Sequence, residues 1–360
     1  MIPLILPIVV VFLTSALKGN LSFRIFDGPS RYIFALIILI YLVKNKIQIQ
    51  EKFIFGILLM PIVTLLLIDF TEKKEWSVEI QRLTVYFIDP IVFGSICLTF
   101  SSLALVTFFS RNKSITVTIL SLIGFVCGSY LSILSGSRTG WLAFPFIIFI
   151  ILRYEINLNS LKSFLLTGII TVSLSFSLFN LSGTVNNRIS SMISDINDYQ
   201  WNDVNKNTSG GERISFIRMG WYYMTLRPLT GWNGLDYLVH KDDLAVAKYA
   251  SLDTRLGVKG GGFHNEFINN GVKYGFFGLL FSLFLVILPA IFFIKKLSNN
   301  QKNISAILGL ALSIMYFFSS LTYQVLDFKF TISLYSILLI TLVASSLQNE
   351  TTSSFFVSKT

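Results

Sequence analysis

Three short stretches hold side chains suited to chemistry on a phosphorylated substrate. The first is Ser135-Gly136-Ser137-Arg138-Thr139-Gly140-Trp141. Ser135 or Ser137 is expected to cap the helix that follows, so that free N–H groups and the positive end of the dipole lie beside the fixed charge of Arg138. That arrangement suits an anion; the alternative is an interfacial arginine snorkelling to lipid head groups. The second is Thr208-Ser209-Gly210-Gly211-Glu212-Arg213, where Ser209 and Glu212 have the spacing of a capping box. Ile214, Ile217, Trp221 and Met224 then recur on one helical face until Arg227-Pro228, which predicts a helix between those limits. Gly210 and Gly211 let a ligand approach the backbone donors at its start, with Arg213 beside them, a phosphate-binding geometry. Taken by spacing alone, a solvated arginine on a surface helix is the simpler account of Arg213.

The third stretch is Gly260-Gly261-Gly262-Phe263-His264-Asn265-Glu266. His264 is expected at a helix N-terminus, where the dipole disfavours imidazolium and leaves a neutral ring able to act as a base; a merely interfacial polar residue is the alternative. Gly271, Gly275 and Gly278 follow, with spacings that admit a closely packed neighbour. His240 sits beside Lys241 and Asp242 and reads as solvated. The only cysteines, Cys97 and Cys127, lie in apolar runs, and there are 2 histidines, so neither a disulfide framework nor a metal site is expected.

The elements that must position these groups belong to a membrane protein. Of 360 residues 53% are apolar and 13% charged, and mean hydropathy is +0.68. A soluble domain carries roughly 25% charged residues, so an ordinary soluble enzyme and a disordered chain are both excluded. Net charge is +10, but the basic residues are spread over short loops rather than gathered in a nucleic-acid patch. Apolar runs predict about ten spans, over residues 2–17, 31–43, 53–70, 83–109, 115–134, 138–153, 161–181, 264–294, 303–322 and 328–346. The first has no basic n-region and no convincing cleavage site, and is expected to be retained. The fold class expected is therefore an all-α membrane protein, with an N-terminal bundle over 1–181, one large hydrophilic loop containing short helices over 182–263, and C-terminal spans with a short tail over 264–360.

Loop charge sets the orientation. The loops 44–52, 111–113, 153–162 and 295–302 hold ten basic residues and two acids, Glu51 and Glu155, which marks them as cytoplasmic. Both termini are then inside, and Glu72, Glu75, Glu79 and the large loop are outside. This topology, derived without reference to the motifs, puts Arg138, Arg213 and His264 on one face. Two permanently charged forks and a base suit a substrate that brings its own diphosphate leaving group to an attacking hydroxyl.

At these residues the chain resembles the O-antigen ligase and polymerase superfamily of bacterial inner membranes. The resemblance rests on Ser137-Arg138, on Gly211-Glu212-Arg213 followed by Pro228 and Gly231-Trp232-Asn233-Gly234, and on His264-Asn265-Glu266 followed by the three glycines. It implies a glycan donor carried on undecaprenyl diphosphate and used on the periplasmic side, with lipid A-core as acceptor for a ligase or a second lipid-linked repeat for a polymerase. It assigns Arg138 and Arg213 to the diphosphate, with Ser137, Gly210 and Gly211 around it, and His264 to activation of the acceptor. Asn265, Glu266 and the late-span acid Asp327 are expected to bind substrate. The implied reaction needs no metal or cofactor and inverts the anomeric carbon. The loop residues Asn187-Arg188 and Asp195-Ile196-Asn197-Asp198-Tyr199 favour ligase; the short N-terminal half, ten spans where ligases tend to have twelve, favours polymerase. A lipid-linked oligosaccharide flippase is the competitor from another class, but such transporters carry internal repeats and mid-membrane charge, neither of which is evident here.

Overall fold

The structure is a computed structural model and describes residues 2–47, 50–70, 83–84, 88–111, 113–181, 190, 193–194, 197, 199 and 209–348. The expectations placed on Glu72, Glu75 and Glu79, on Asn187-Arg188, and on most of the 195–199 stretch lie outside the described residues. Described elements are helical throughout, with no strand among them. Among the described residues, six helices are long and apolar enough to cross a membrane: 23–44, Pro90–Phe109, Ile115–Leu134, Glu266–Asn299, Ile304–Thr322 and Lys329–Gln348. Shorter apolar helices cover Ile2–Leu17, Lys52–Ile68 and Ser160–Ser173. The protein is thus a multi-pass, all-helical membrane protein.

In chain order the α-helices are α1 (Ile2–Leu17), α2 (Asp27–Lys44), α3 (Gln50–Phe70), α4 (Pro90–Phe109), α5 (Ile115–Leu134), α6 (Phe144–Ile150), α7 (Ser160–Leu181), α8 (Ser209–Leu226), α9 (Leu244–Tyr249), α10 (Leu252–Gly261), α11 (Glu266–Asn299), α12 (Ile304–Thr322) and α13 (Lys329–Gln348). They form two compact units. One holds residues 1–30, 168–285 and 320–329; the other holds 31–167, 286–319 and 330–360.

The second unit is organised on α4, which is apolar on every side and buried from Val92 to Ala104, as such a helix must be. It begins later than the apolar run at residue 83 suggests. Pro90 occupies the first helical position and Asp89 accepts the Ile91 N–H at 2.7 Å, so the helix is capped there. Helix α5 meets its neighbours through small residues: a Cβ on Gly124 would lie 2.8 Å from the Leu58 carbonyl oxygen, and one on Gly128 would lie 2.8 Å from that of Cys97. Four residues apart, these glycines open one face of α5 to both α3 and α4.

The expected span over 138–153 is not a single α-helix. The chain makes a 3₁₀ turn at Trp141–Ala143, a short α-helix at Phe144–Ile150 and a π turn at Ile151–Glu155. Gly136 and Gly140 are left-handed, with φ of 63° and 88°, and the second of these delays the first helical turn to Trp141.

The first unit has its own core. Phe216, Met219 and Tyr223 of α8 pack with Trp232, Tyr237, Val246, Val258, Phe263, Ile268 and Val272. The buried face of α8 therefore runs through Phe216, Met219 and Tyr223, one step round from the face expected. Ile217 and Trp221 are exposed, at 43% and 55%, and only Met224 of the expected stripe is fully buried. The reason is α11: a Cβ on Gly220 would fall 2.2 Å from the Ile268 side chain, and one on Gly271 would fall 2.7 Å from Met224 Sδ. Pro228 follows α8, and its carbonyl accepts the Phe276 N–H at 2.7 Å, seated against Gly275, whose φ of 66° kinks α11.

Candidate functional site

Helix α8 starts at Ser209, where the spacing places it, and ends before Arg227-Pro228. Gly210, Glu212 and Arg213 lie in its first two turns, at the positive end of the helix dipole, and Arg213 is exposed. Burial pushes the Glu212 carboxyl above the ordinary range, while Arg213 beside it pulls it back down. The Ser209 side chain lies outside the described residues.

Three residues on from Arg213, Phe216 meets His264. Their rings stack with centroids 5.2 Å apart and planes 9° from parallel. Residues three apart on a helix have Cβ atoms about 5–6 Å apart, so Arg213 lies one helical turn from the residue on which His264 stacks. Tyr323 also meets the histidine, edge to face at 5.0 Å. His264 is not on the helix proper. It precedes α11 by two residues with a left-handed φ of 47°, and a Cβ on Gly261 would lie 2.8 Å from His264 Nε2. The glycine run thus does more than loosen the approach, since Gly261 leaves the space in which the imidazole rests.

The cap of α11 is Asn265. Its Oδ1 accepts the N–H groups of Phe267 and Ile268, both at 3.0 Å, and its Nδ2 donates to the Leu321 carbonyl at 3.0 Å. Glu266 is buried and accepts from the Leu326 N–H at 2.8 Å and from Asn270 Nδ2 at 2.7 Å. Asp327 pairs with Lys273, both carboxylate oxygens lying 2.7 Å from Nζ. Gln324 Nε2 donates to the Gly261 carbonyl. The segment 321–327 is therefore fastened to the glycine run and to the first turns of α11, which holds Tyr323 against the histidine. Sequence reasoning missed Phe216, Tyr323, Lys273 and Gln324, because only the fold pairs residues 48 to 63 positions apart.

Ser137 and Arg138 belong to the other unit. Ser135 Oγ accepts the Ser137 N–H at 3.1 Å; Ser137 Oγ accepts the Thr139 N–H at 3.3 Å and donates to the Ile91 carbonyl at 3.1 Å. Both serines are buried while Arg138 is exposed. The expected helix cap is instead a pair of serine turns, and Arg138 stands on a turn whose next helical residue is Trp141. Among the described residues, no three His, Cys, Asp or Glu side chains gather as a metal site.

A family model described as O-antigen ligase matches residues 123–283. An uncharacterized protein of Haemophilus influenzae is 26% identical over 319 residues, covering 86% of this chain and 77% of the relative. The matched stretch contains Ser137, Arg138, Gly210, Gly211, Arg213, His264, Asn265 and Glu266; Asp327 lies beyond it. Over residues 123–283 the chain is thus similar to the O-antigen ligase family.

Proposed function

We propose that the protein is an O-antigen ligase-type glycosyltransferase, which moves a glycan from undecaprenyl diphosphate to lipid A-core at the periplasmic face of the inner membrane. About ten spans with both termini cytoplasmic would place the motifs on that face. The observation that most supports transfer chemistry is that His264 stacks on Phe216, one helical turn from Arg213.

Arg213 and the helix start at Gly210 and Gly211 receive the diphosphate, since a helix N-terminus and a guanidinium both favour phosphate oxygens. His264 takes the proton of the acceptor hydroxyl as that oxygen bonds to the anomeric carbon. The bond from that carbon to the diphosphate breaks, its electron pair leaving with the lipid carrier, and the configuration inverts. No metal is needed in this scheme, because the leaving group departs as an anion already held by cationic and N–H donors. Asn265, Glu266 and Asp327 position the histidine through the backbone and the 321–327 segment. Arg138 and Ser137 are assigned to the same diphosphate by the sequence motif, independently of any distance.

The test is reconstitution of the full chain in proteoliposomes with an undecaprenyl-diphosphate-linked glycan and lipid A-core. Glycan appearing on lipid A-core, with release of undecaprenyl diphosphate, is the expected result. Growth of the lipid-linked glycan with no product on lipid A-core would identify a polymerase. Neither product, from a donor shown to bind, would overturn transfer chemistry.

A further inference from the structure

Helix α8 carries a cation at each end. Arg227 follows its last residue, fourteen positions after Arg213, which is about 20 Å along a helix axis. It lines a cleft of about 400 Å³ with Leu17, Lys18, Leu226, Leu229 and Asn233. The two cations are held in different ways. Lys18 follows the end of α1, and its Nζ donates to the carbonyl oxygens of Lys273 at 3.0 Å and Trp232 at 3.3 Å. Two of its three N–H groups are thereby placed, and the ammonium lies 5.6 Å from the centre of the Tyr274 ring. Arg227 lies over the indole of Trp232 at 4.1 Å, which fixes the plane of its fork.

Among the described residues no carboxylate lies within ion-pair distance of either group. The like charge of Arg227 adds to burial in pushing the Lys18 ammonium down to about 8, against a weaker opposing pull from Asp236. Two converging cations with no paired acid attract an anion. The cleft also has an apolar side: Leu17 and Leu229 are 71% and 62% exposed, and Leu17 is the last residue of an apolar helix. Cationic heads beside exposed leucines, where such a helix ends, match the junction between a phosphate head group and an acyl chain.

We propose that Lys18 and Arg227 form a phosphate-binding site for an anionic phospholipid, whose acyl chain lies along Leu17 and Leu229. The site is separate from the Arg213 and His264 region and does not depend on the transfer reaction. The same chemistry would accept free phosphate, and the experiment separates the two.

The full chain in mild detergent is titrated with dioctanoyl phosphatidylglycerol, dioctanoyl phosphatidylcholine and inorganic phosphate, with binding read by native mass spectrometry. The expected result is one saturable phosphatidylglycerol site that phosphatidylcholine does not fill. Each of K18Q and R227Q should weaken it about fivefold, as expected for about 1 kcal/mol per basic residue at a lipid surface. R227K, which keeps the charge, should lose less than R227Q. Displacement by inorganic phosphate at equal concentration would make the phosphate ion the ligand; displacement by anionic lipid alone would make it the phospholipid. Equal binding of the two lipids, or unchanged phosphatidylglycerol binding by R227Q, would overturn the proposal. Arg227 is exposed and outside the α8 core, so R227Q remains a valid test if K18Q does not fold.

Discussion

The surroundings of Arg213 and Arg138 differ although their motifs look alike. Both pair serine and glycine with an arginine ahead of an apolar run. At Arg213 the motif makes what it promises, an 18-residue helix whose first turns carry the charge. At Arg138 two serine turns and a left-handed Gly140 intervene, and the following α-helix has 7 residues. The dipole argument therefore applies at Arg213, where several turns of aligned peptides stand behind the N–H groups. At Arg138 the guanidinium itself is what remains to attract an anion, presented by a tightly bonded turn. Similar local sequences give different sites because glycine permits a left-handed turn wherever the surrounding packing favours one.

The largest expected effect lies on the Arg213 side. His264→Ala should lower transfer by roughly 10²- to 10⁴-fold, the usual contribution of a general base, measured as glycan delivered per minute by correctly inserted protein. Gly261→Ala comes next. Its Cβ would meet His264 Nε2 at 2.8 Å, so the imidazole must shift, and a displacement near 1 Å costs on the order of 10²-fold in rate. Helix content should stay unchanged. An unaffected G261A enzyme would show that the observed ring position is not the one used.

Smaller effects compare the two serine and asparagine turns. Asn265→Ala removes the acceptor for two helix N–H groups and should cost about 1 kcal/mol of stability, read in thermal melts, with a fall in rate because the cap also positions His264. Ser137→Ala should cost a similar amount, about 1 kcal/mol, but its effect on rate should follow Arg138 alone. Smallest is a pH effect at Glu155. This side chain is 6% exposed, and burial pushes its carboxyl up to about 7 against the pull of Arg111 and Lys113. A carboxyl raised on folding stabilises the protonated form, so its contribution is full at low pH and is lost as pH rises through about 7. The melting temperature should drop over that interval, and the drop should flatten in Glu155→Gln.

What the sequence made legible was what local chemistry decides. Helix α5 occupies the run 115–134 as read, because Ser114 caps it, accepting the Val117 N–H at 3.3 Å, and no glycine inside it leaves helical φ/ψ. The start of α8 was legible from the spacing of Ser209 and Glu212. Its buried face was not, since the choice of Phe216 over Ile217 is made by α11 crossing at Gly220. The place of His264 was half legible: the glycine run signals an unusual backbone, but the stacking on Phe216 and the tether through Leu321 depend on residues 48 and 57 positions away. The break at Gly140 escaped hydropathy altogether, because an apolar run reads the same whether its backbone is α, 3₁₀ or π.

The most direct test of the central claim separates donor binding from transfer in Arg213→Ala and His264→Ala. Each protein is given an undecaprenyl-diphosphate-linked glycan, and both the equilibrium Kd and the single-turnover rate at saturation are measured. With Arg213 on the diphosphate and His264 on the acceptor hydroxyl, R213A should weaken donor binding by about 10-fold or more, the range of one charged hydrogen bond. H264A should bind donor like the parent while its saturated rate falls by at least about 10²-fold. If H264A instead weakened donor binding as much as R213A and kept the parent's saturated rate, the histidine would belong to the diphosphate site and the assignment of a base would be contradicted.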